Sequence, residues 1–349
     1  MAHLTSQDAA ETAGFTPGLS RKLAAGVESG LLPYLHAVIV SREGGVVLEQ
    51  YYSGADEDWG MPLGEVTFGP DVLHDLRSVT KSIVCLLYGI ALDRGLVPAL
   101  DSPIVLQFPE YADLADDADR QKISVEHAMT MSMGLEWDED LPYTNPENSE
   151  IAMERAADRY RYILERPIVA APGTRWIYSG GAVALIGALI ARGTGMPLQR
   201  FAEEALFGPL GITHFSWAQG ADGVASAASG LRLSARDLLK IGELLVAGGR
   251  LGERQIVPEA WIEASFTSAI NADGLGYGRL WFIGETPVPA LDGPGRWVAG
   301  FGNGGQRLWL CPAANTAAVV FAGHYNKPDA WVTPTRIWRE IVLANLQRP

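Results

Sequence analysis

The stretch RSVTKSIVCLL, residues 77–87, sets a serine and a lysine three residues apart at the mouth of an apolar run. Lysine is rarely buried unless something pairs with it. The run reads as the start of a buried helix from Ser78 to Arg94, with Gly95 as its C-cap. Residues i and i+3 share one helix face, so Ser78 and Lys81 point the same way. The helix N-terminus favours a serine alkoxide and disfavours an ammonium. Ile83, Val84, Leu86 and Leu87 would desolvate Lys81, lower its pKa and leave an amine able to take a proton. A weak hydroxyl nucleophile requires such an acceptor. The bland alternative is a lysine that snorkels to solvent. With 18 serines and 5 lysines in 349 residues, about 0.3 such spacings arise by chance. The pair alone decides little.

Outward from this stretch the pattern changes at both ends. A first helix is predicted over 18–30. HAVIVS (36–41) and VVLEQYY (46–52) flank a turn at 42–45 and predict a hairpin. Residues 53–70 are polar and glycine-rich, without a regular period. Helical patterns follow at 124–133, 149–164, 180–193, 197–206, 234–248 and 257–266. GYGRLWFI (276–283), QRLWLC (306–311) and TAAVVFAG (316–323) read as strands, and 334–346 as a closing helix. Strands at both ends and helices between predict an α+β fold: one sheet built from both termini, flanked by helices, with an inserted, mainly helical lobe. The expected division is 1–77 with 228–349 for the sheet domain and 78–227 for the lobe, with the cleft between them.

Composition excludes several functions. Acidic residues outnumber basic ones by 41 to 27, a formal charge of −14. Nucleic acid and anionic membrane surfaces should repel such a chain. No CxxC or HExxH spacing occurs and the six histidines are scattered, so neither a metal site nor a cofactor is expected. Cys85 and Cys311 read as small buried hydrophobes. The start, MAHLTSQDAAETAGFTPG, has no basic segment and no apolar core, which predicts a cytoplasmic protein. The oligomeric state is not readable.

Two further stretches bear on Ser78 and Lys81. In TRWIYSGG (174–181), Tyr178 precedes a small-residue helix start. A phenol near a cation can relay protons, although most single tyrosines are core residues. In GFGNGGQRLWLCP (300–312) the glycines match G-x-G-x-x-G but lead into a strand, whereas a dinucleotide site needs them to open a helix. Glycines at a strand start instead let a substrate approach the backbone.

Serine-lysine, then tyrosine, then a glycine-rich strand, in this order, resembles the serine β-lactamase and penicillin-binding protein superfamily. The similarity is greatest to the class C β-lactamase-like serine hydrolases, which include esterases of β-lactamase fold and 6-aminohexanoate-dimer hydrolase. HDLRSVTKS (74–82), RPIVAAPGTRWIYSGG (166–181), LFGPLGITHFSW (206–217), SGLRLSARDLLKIGELL (229–245) and GNGGQ (302–306) carry it, from about residue 34 to the C-terminus. The resemblance implies an antiparallel central sheet of β-lactamase/transpeptidase type. It implies Ser78 as the acylated nucleophile and Lys81 with Tyr178 as the proton-transfer pair, without deciding which is the base. Backbone N–H groups of Ser78 and Gln306 would form the oxyanion hole. Asn303, Gly304 and Gly305 would line the substrate on a strand edge.

Two departures matter. Gly180 stands where the superfamily's Y-x-N motif has asparagine, and Asn303-Gly304-Gly305 replaces a third motif that begins with lysine or histidine. Both replaced side chains normally hold a β-lactam. A Gly180→Asn exchange is therefore expected to raise β-lactam reactivity. Trp137 and Tyr143, in the loop 137–148, are expected to wall the substrate, as are Trp217 and Tyr325. The leading reading is a serine hydrolase acting on a small-molecule ester or amide. Its alternatives are a weak β-lactamase or D-amino-acid peptidase, and a non-catalytic binding protein of the same fold. An α/β-hydrolase is excluded because no G-x-S-x-G elbow occurs.

Overall fold

The computed structural model describes residue 11 and residues 13–347; most of the N-terminal stretch read for an export signal lies outside them. Helix α1 (Leu19–Glu28) precedes the hairpin β1 (Leu35–Arg42) and β2 (Gly45–Tyr51). A second hairpin follows, β3 (Ser53–Asp58) and β4 (Met61–Thr67), in the segment read as irregular. Its side chains are mostly exposed, the polar ones of β3 and also Met61 and Leu63 of β4, so no buried apolar face marks it in the sequence. Then come α2 (Val79–Asp93), α3 (Gly180–Thr194) and α4 (Ala235–Val246), with shorter helices between them. The chain ends in β5 (Ile270–Ala272), β6 (Leu275–Tyr277), β7 (Phe282–Pro287), β8 (Pro294–Gly302), β9 (Gln306–Cys311), β10 (Thr316–Ala322) and a last helical stretch from Val332.

Eight strands form one antiparallel sheet in the order β5-β6-β7-β8-β9-β10-β1-β2. The two chain ends meet at β10 and β1, with Val38 opposite Val320. Strand β1 is buried along its whole length, because both sheet faces are covered. On one face Val38, Val40, Trp309 and Val320 pack against α1 and the C-terminal helix. On the other, Ile39, Leu308, Leu310 and Val319 join α2, α3 and α4 in a core that continues into the helical part. The predicted strand 276–283 divides into β6 and β7, and 149–164 into two helices, Ser149–Arg155 and Arg159–Leu164. Strand β8 was not foreseen. The glycines at 300–305 end one strand and turn into the next.

Helix α3 is buried from Gly180 to Ile190, as is α2 from Val79 to Ala91. Both are core helices packed on each other. No single helix among the described residues is long and apolar enough to cross a membrane.

The histidines are less scattered than the sequence suggests. His36 on β1, Asp56 on β3 and His74 bring ligand-type atoms within 4.8 Å of one another, all buried. These atoms already engage one another. His36 Nδ1 and His74 Nε2 lie 2.9 Å apart, and Tyr325 donates to Asp56 at 2.8 Å. Phe68 and Phe321 enclose the His74 ring. Burial pushes both imidazoles down to about 3, so both stay neutral in the folded chain. An unfolded histidine titrates near 6.5, so the folded state binds fewer protons below that pH. Their contribution is complete above about 6.5 and is lost as pH falls towards 3. Thermal midpoints measured from pH 7.5 to 5 should therefore drop, as each imidazole costs about 2 kcal/mol of folding free energy at pH 5. His74→Asn should flatten the slope; an unchanged slope would assign the acid sensitivity elsewhere.

Candidate active site

Ser78 stands at the N-cap of α2, and Arg77 before it has a left-handed φ of 48°. That conformation costs of order 1–3 kcal/mol in a residue with a side chain. Arg77 is held there by Glu57 at 2.8 Å, Asp75 at 3.2 Å and the Tyr325 ring at 4.8 Å. Strand β8 presses on the same turn. A Cβ on Gly302 would sit 2.3 Å from the Leu76 carbonyl oxygen, and one on Gly300 2.9 Å from Ser82 Oγ. These two glycines admit the helix that starts at Ser78, not a substrate, against the strand.

Lys81 is 2% exposed. Its ammonium donates to Ser78 Oγ at 3.0 Å and to the Ala228 carbonyl at 3.0 Å. It lies 4.9 Å from the centre of the Tyr178 ring, and the Tyr178 hydroxyl reaches both Ser78 and Lys81. The structure thus brings Ser78, Lys81 and Tyr178 together. It also adds two residues the sequence did not point to. Glu150 Oε2 lies 3.7 Å from Lys81 Nζ. Glu139 accepts from Trp137 Nε1 at 2.6 Å, from Tyr143 at 2.9 Å and from the Gly180 backbone N–H. Neither glutamate belongs to a recognisable motif; the one local signal is Asn148, whose side chain caps the helix carrying Glu150.

The acids reverse the electrostatics expected from the sequence. Burial alone would lower the Lys81 pKa, but Tyr178, Glu150 and Glu139 outweigh it and hold the ammonium well above the ordinary lysine range. Burial raises the Tyr178 phenol, with Lys81 pulling the other way. Burial and the Glu150 charge push Glu139 up to about 7.

Two chambers meet at Ser78. The smaller, about 310 Å³, is lined by Trp59, Arg77, Glu150, Arg155 and Ser229 among others. The larger, about 960 Å³, has an aromatic wall of Trp137, Trp176, Phe282 and Phe301. Ser78, Tyr143 and Asn303 line both. Gly304 and Gly305 turn away: a Cβ on either would meet Tyr325 or Ala322, and Gly304 bridges to His324. Gln306 is fully buried, paired with Gly302 in the ladder, its carboxamide bonded to Ala322 on β10. An oxyanion donor must point at the developing charge with no internal partner. The backbone N–H groups of Ser78 and Asn303 have no acceptor among the described hydrogen bonds. Trp217 is buried on the Ser226 carbonyl and Tyr325 on Asp56, so neither walls the cleft. His324 stacks on Tyr34 and pairs with Asp329.

The family description Beta-lactamase matches residues 25–340. The chain is 29% identical to esterase EstB of Burkholderia gladioli over 187 residues, which are 50% of this chain and 44% of that protein. The match thus spans less than half of that relative. Identity to the 6-aminohexanoate-dimer hydrolase of Paenarthrobacter ureafaciens is 25% over 339 residues, 86% of this chain and 74% of the other. The structure of EstCE1, a hydrolase with promiscuous acyltransferase activity, is similar with a TM-score of 0.72 over 97% of this chain and 100% of its own, at 16% identity. That last likeness is one of fold.

Gly180 is occupied ground. A Cβ there would stand 2.6 Å from Glu150 Oε2 and 3.1 Å from Glu139 Oε1. The exchange considered from the sequence, Gly180→Asn, would drive a side chain into both acids. It should lower the thermal midpoint and leave nitrocefin hydrolysis no faster. A gain in nitrocefin rate would show that the acids yield.

Proposed function

Because this chain belongs to the Beta-lactamase family, we propose that it is a serine hydrolase that cleaves small esters or amides through a covalent acyl-enzyme on Ser78. The observation that carries this reading is Lys81, buried and hydrogen-bonded to Ser78 Oγ at 3.0 Å, beside two backbone N–H groups without an acceptor among the described residues. Oγ attacks the carbonyl carbon and its proton passes into the Lys81–Tyr178 pair. The N–H groups of Ser78 and Asn303 receive the charge that develops on the carbonyl oxygen. The pair then protonates the leaving alkoxide or amine. In the second half a water attacks the acyl carbon and gives its proton to the same pair. Asn303 thus takes the place in the oxyanion hole that Gln306 had in the sequence reading. The aromatic wall of the larger chamber suits an apolar portion of the substrate.

Intact-protein mass after mixing with p-nitrophenyl butyrate should show an acyl adduct or be accompanied by a product burst, and Ser78→Ala should abolish both. Asn303→Pro removes the N–H and should slow acylation about 10²–10³-fold, whereas Asn303→Ala keeps the N–H and should cost far less. Equal losses in the two variants would return the oxyanion role to another donor.

A further inference from the structure

Lys81 presents a difficulty for the reading above, on which this inference rests. Its ammonium donates to Ser78 Oγ and to the Ala228 carbonyl, and both partners are fixed. A donor to Oγ cannot at the same moment accept the proton of Oγ. Some group with a free lone pair must first take a proton from Nζ.

Glu150 has that lone pair. It is 3% exposed, and its Oε2 has no hydrogen-bond partner among the described residues. A buried carboxylate oxygen without a donor is costly, and this one lies 3.7 Å from Nζ. Its other oxygen is fixed by Ser229 Oγ at 2.6 Å, which in turn accepts from Trp59 Nε1 at 3.1 Å. The backbone of Glu150 is anchored by Asn148 at 3.0 Å. The missing side chain of Gly180 leaves the room that Oε2 occupies. The carboxylate is therefore aimed and held, with one oxygen kept open towards the lysine.

We propose that Glu150 holds the proton of Lys81 during acylation. A proton moves from Nζ to Oε2 as the Ser78 proton moves from Oγ to Nζ and the Oγ–C bond forms. When the tetrahedral adduct collapses, the bond from carbon to the leaving group breaks. Nζ then protonates the leaving group and regains its proton from Oε2. The net change in the enzyme is nil, and no other reactant is needed. Glu150 acts through Lys81 and is a positioning residue that stores a proton. The charged and titratable groups around it are Lys81 on α2, Tyr178 before α3, Glu139 and Tyr143 on the loop, and Glu154 on its own helix. Glu139 has its carboxylate taken up by three donors, which leaves Glu150 as the open acceptor.

The test is the pH profile of kcat/KM for p-nitrophenyl butyrate from pH 5 to 9, with wild type, Glu150→Gln and Ser229→Ala. Glu150→Gln should lower kcat about 10²-fold or more at pH 7 with a much smaller change in KM, and should displace the acid limb. Ser229→Ala removes a donor to the carboxylate, favouring its protonated form, and should move the acid limb upward. It also supplies the answer if the Gln variant does not fold. A Gln variant that keeps the wild-type limb, merely scaled, overturns the proposal. So does a Ser229→Ala limb that stays within about 0.3 pH units of wild type. Adduct mass at Ser78 in the wild type separates the two failures. Without it the hydrolase reading falls and the relay with it; with it and an unmoved limb, the relay alone falls.

Discussion

Much of this structure depends on keeping one ammonium group out of water. Lys81 sits one turn into a helix buried from Val79 to Ala91, where an unpaired charge would be expelled or neutralised. Its neighbours come from separated segments: Ser78 on its own helix, Ala228 before α4, Glu150 on the short helix Ser149–Arg155, and Tyr178 ahead of α3. Satisfying one cation therefore draws four regions of the chain together. The same requirement explains why β8 carries glycine at 300 and 302, since the helix must reach the strand at backbone distance.

The sequence exposes this arrangement unevenly. Ser78 and Lys81 are legible because helical geometry alone puts i and i+3 on one face. Tyr178 is legible only through resemblance, since nothing local separates it from a core tyrosine. Glu139 and Glu150 are invisible: one lies in an irregular loop and the other in a short helix, and their meeting is a tertiary event. That omission reverses the expected pKa direction of Lys81, because burial was weighed without the anions that oppose it. The glycine-rich run misleads in a similar way. Its composition marks a close approach, but whether Asn303, Gly304 or Gln306 faces the cleft depends on hairpin register. A shift of one residue changes the face.

The sheet was easier to foresee than its edges. β1, β9 and β10 are near-continuous apolar strands because both faces are covered, and such runs declare themselves. The β3–β4 hairpin is mostly exposed and buries no apolar face. Yet it supplies Asp56 and Glu57 to the charged layer beneath the turn at Ser78, where Arg77 and Arg232 bind the acids of 56–58 and 75. Structure with no buried apolar face still carries the support of the site.

Gly180 restricts where this chain can go next. The position that holds asparagine in related enzymes is closed here by Glu139 and Glu150, and those acids are seated only because position 180 has no side chain. Each change made first has a cost. Adding the side chain displaces the acids, and removing the acids strips the lysine of its counter-charge. A side chain at position 180 and the two acids compete for one space, so a single position sets which groups face the lysine while the fold stays the same.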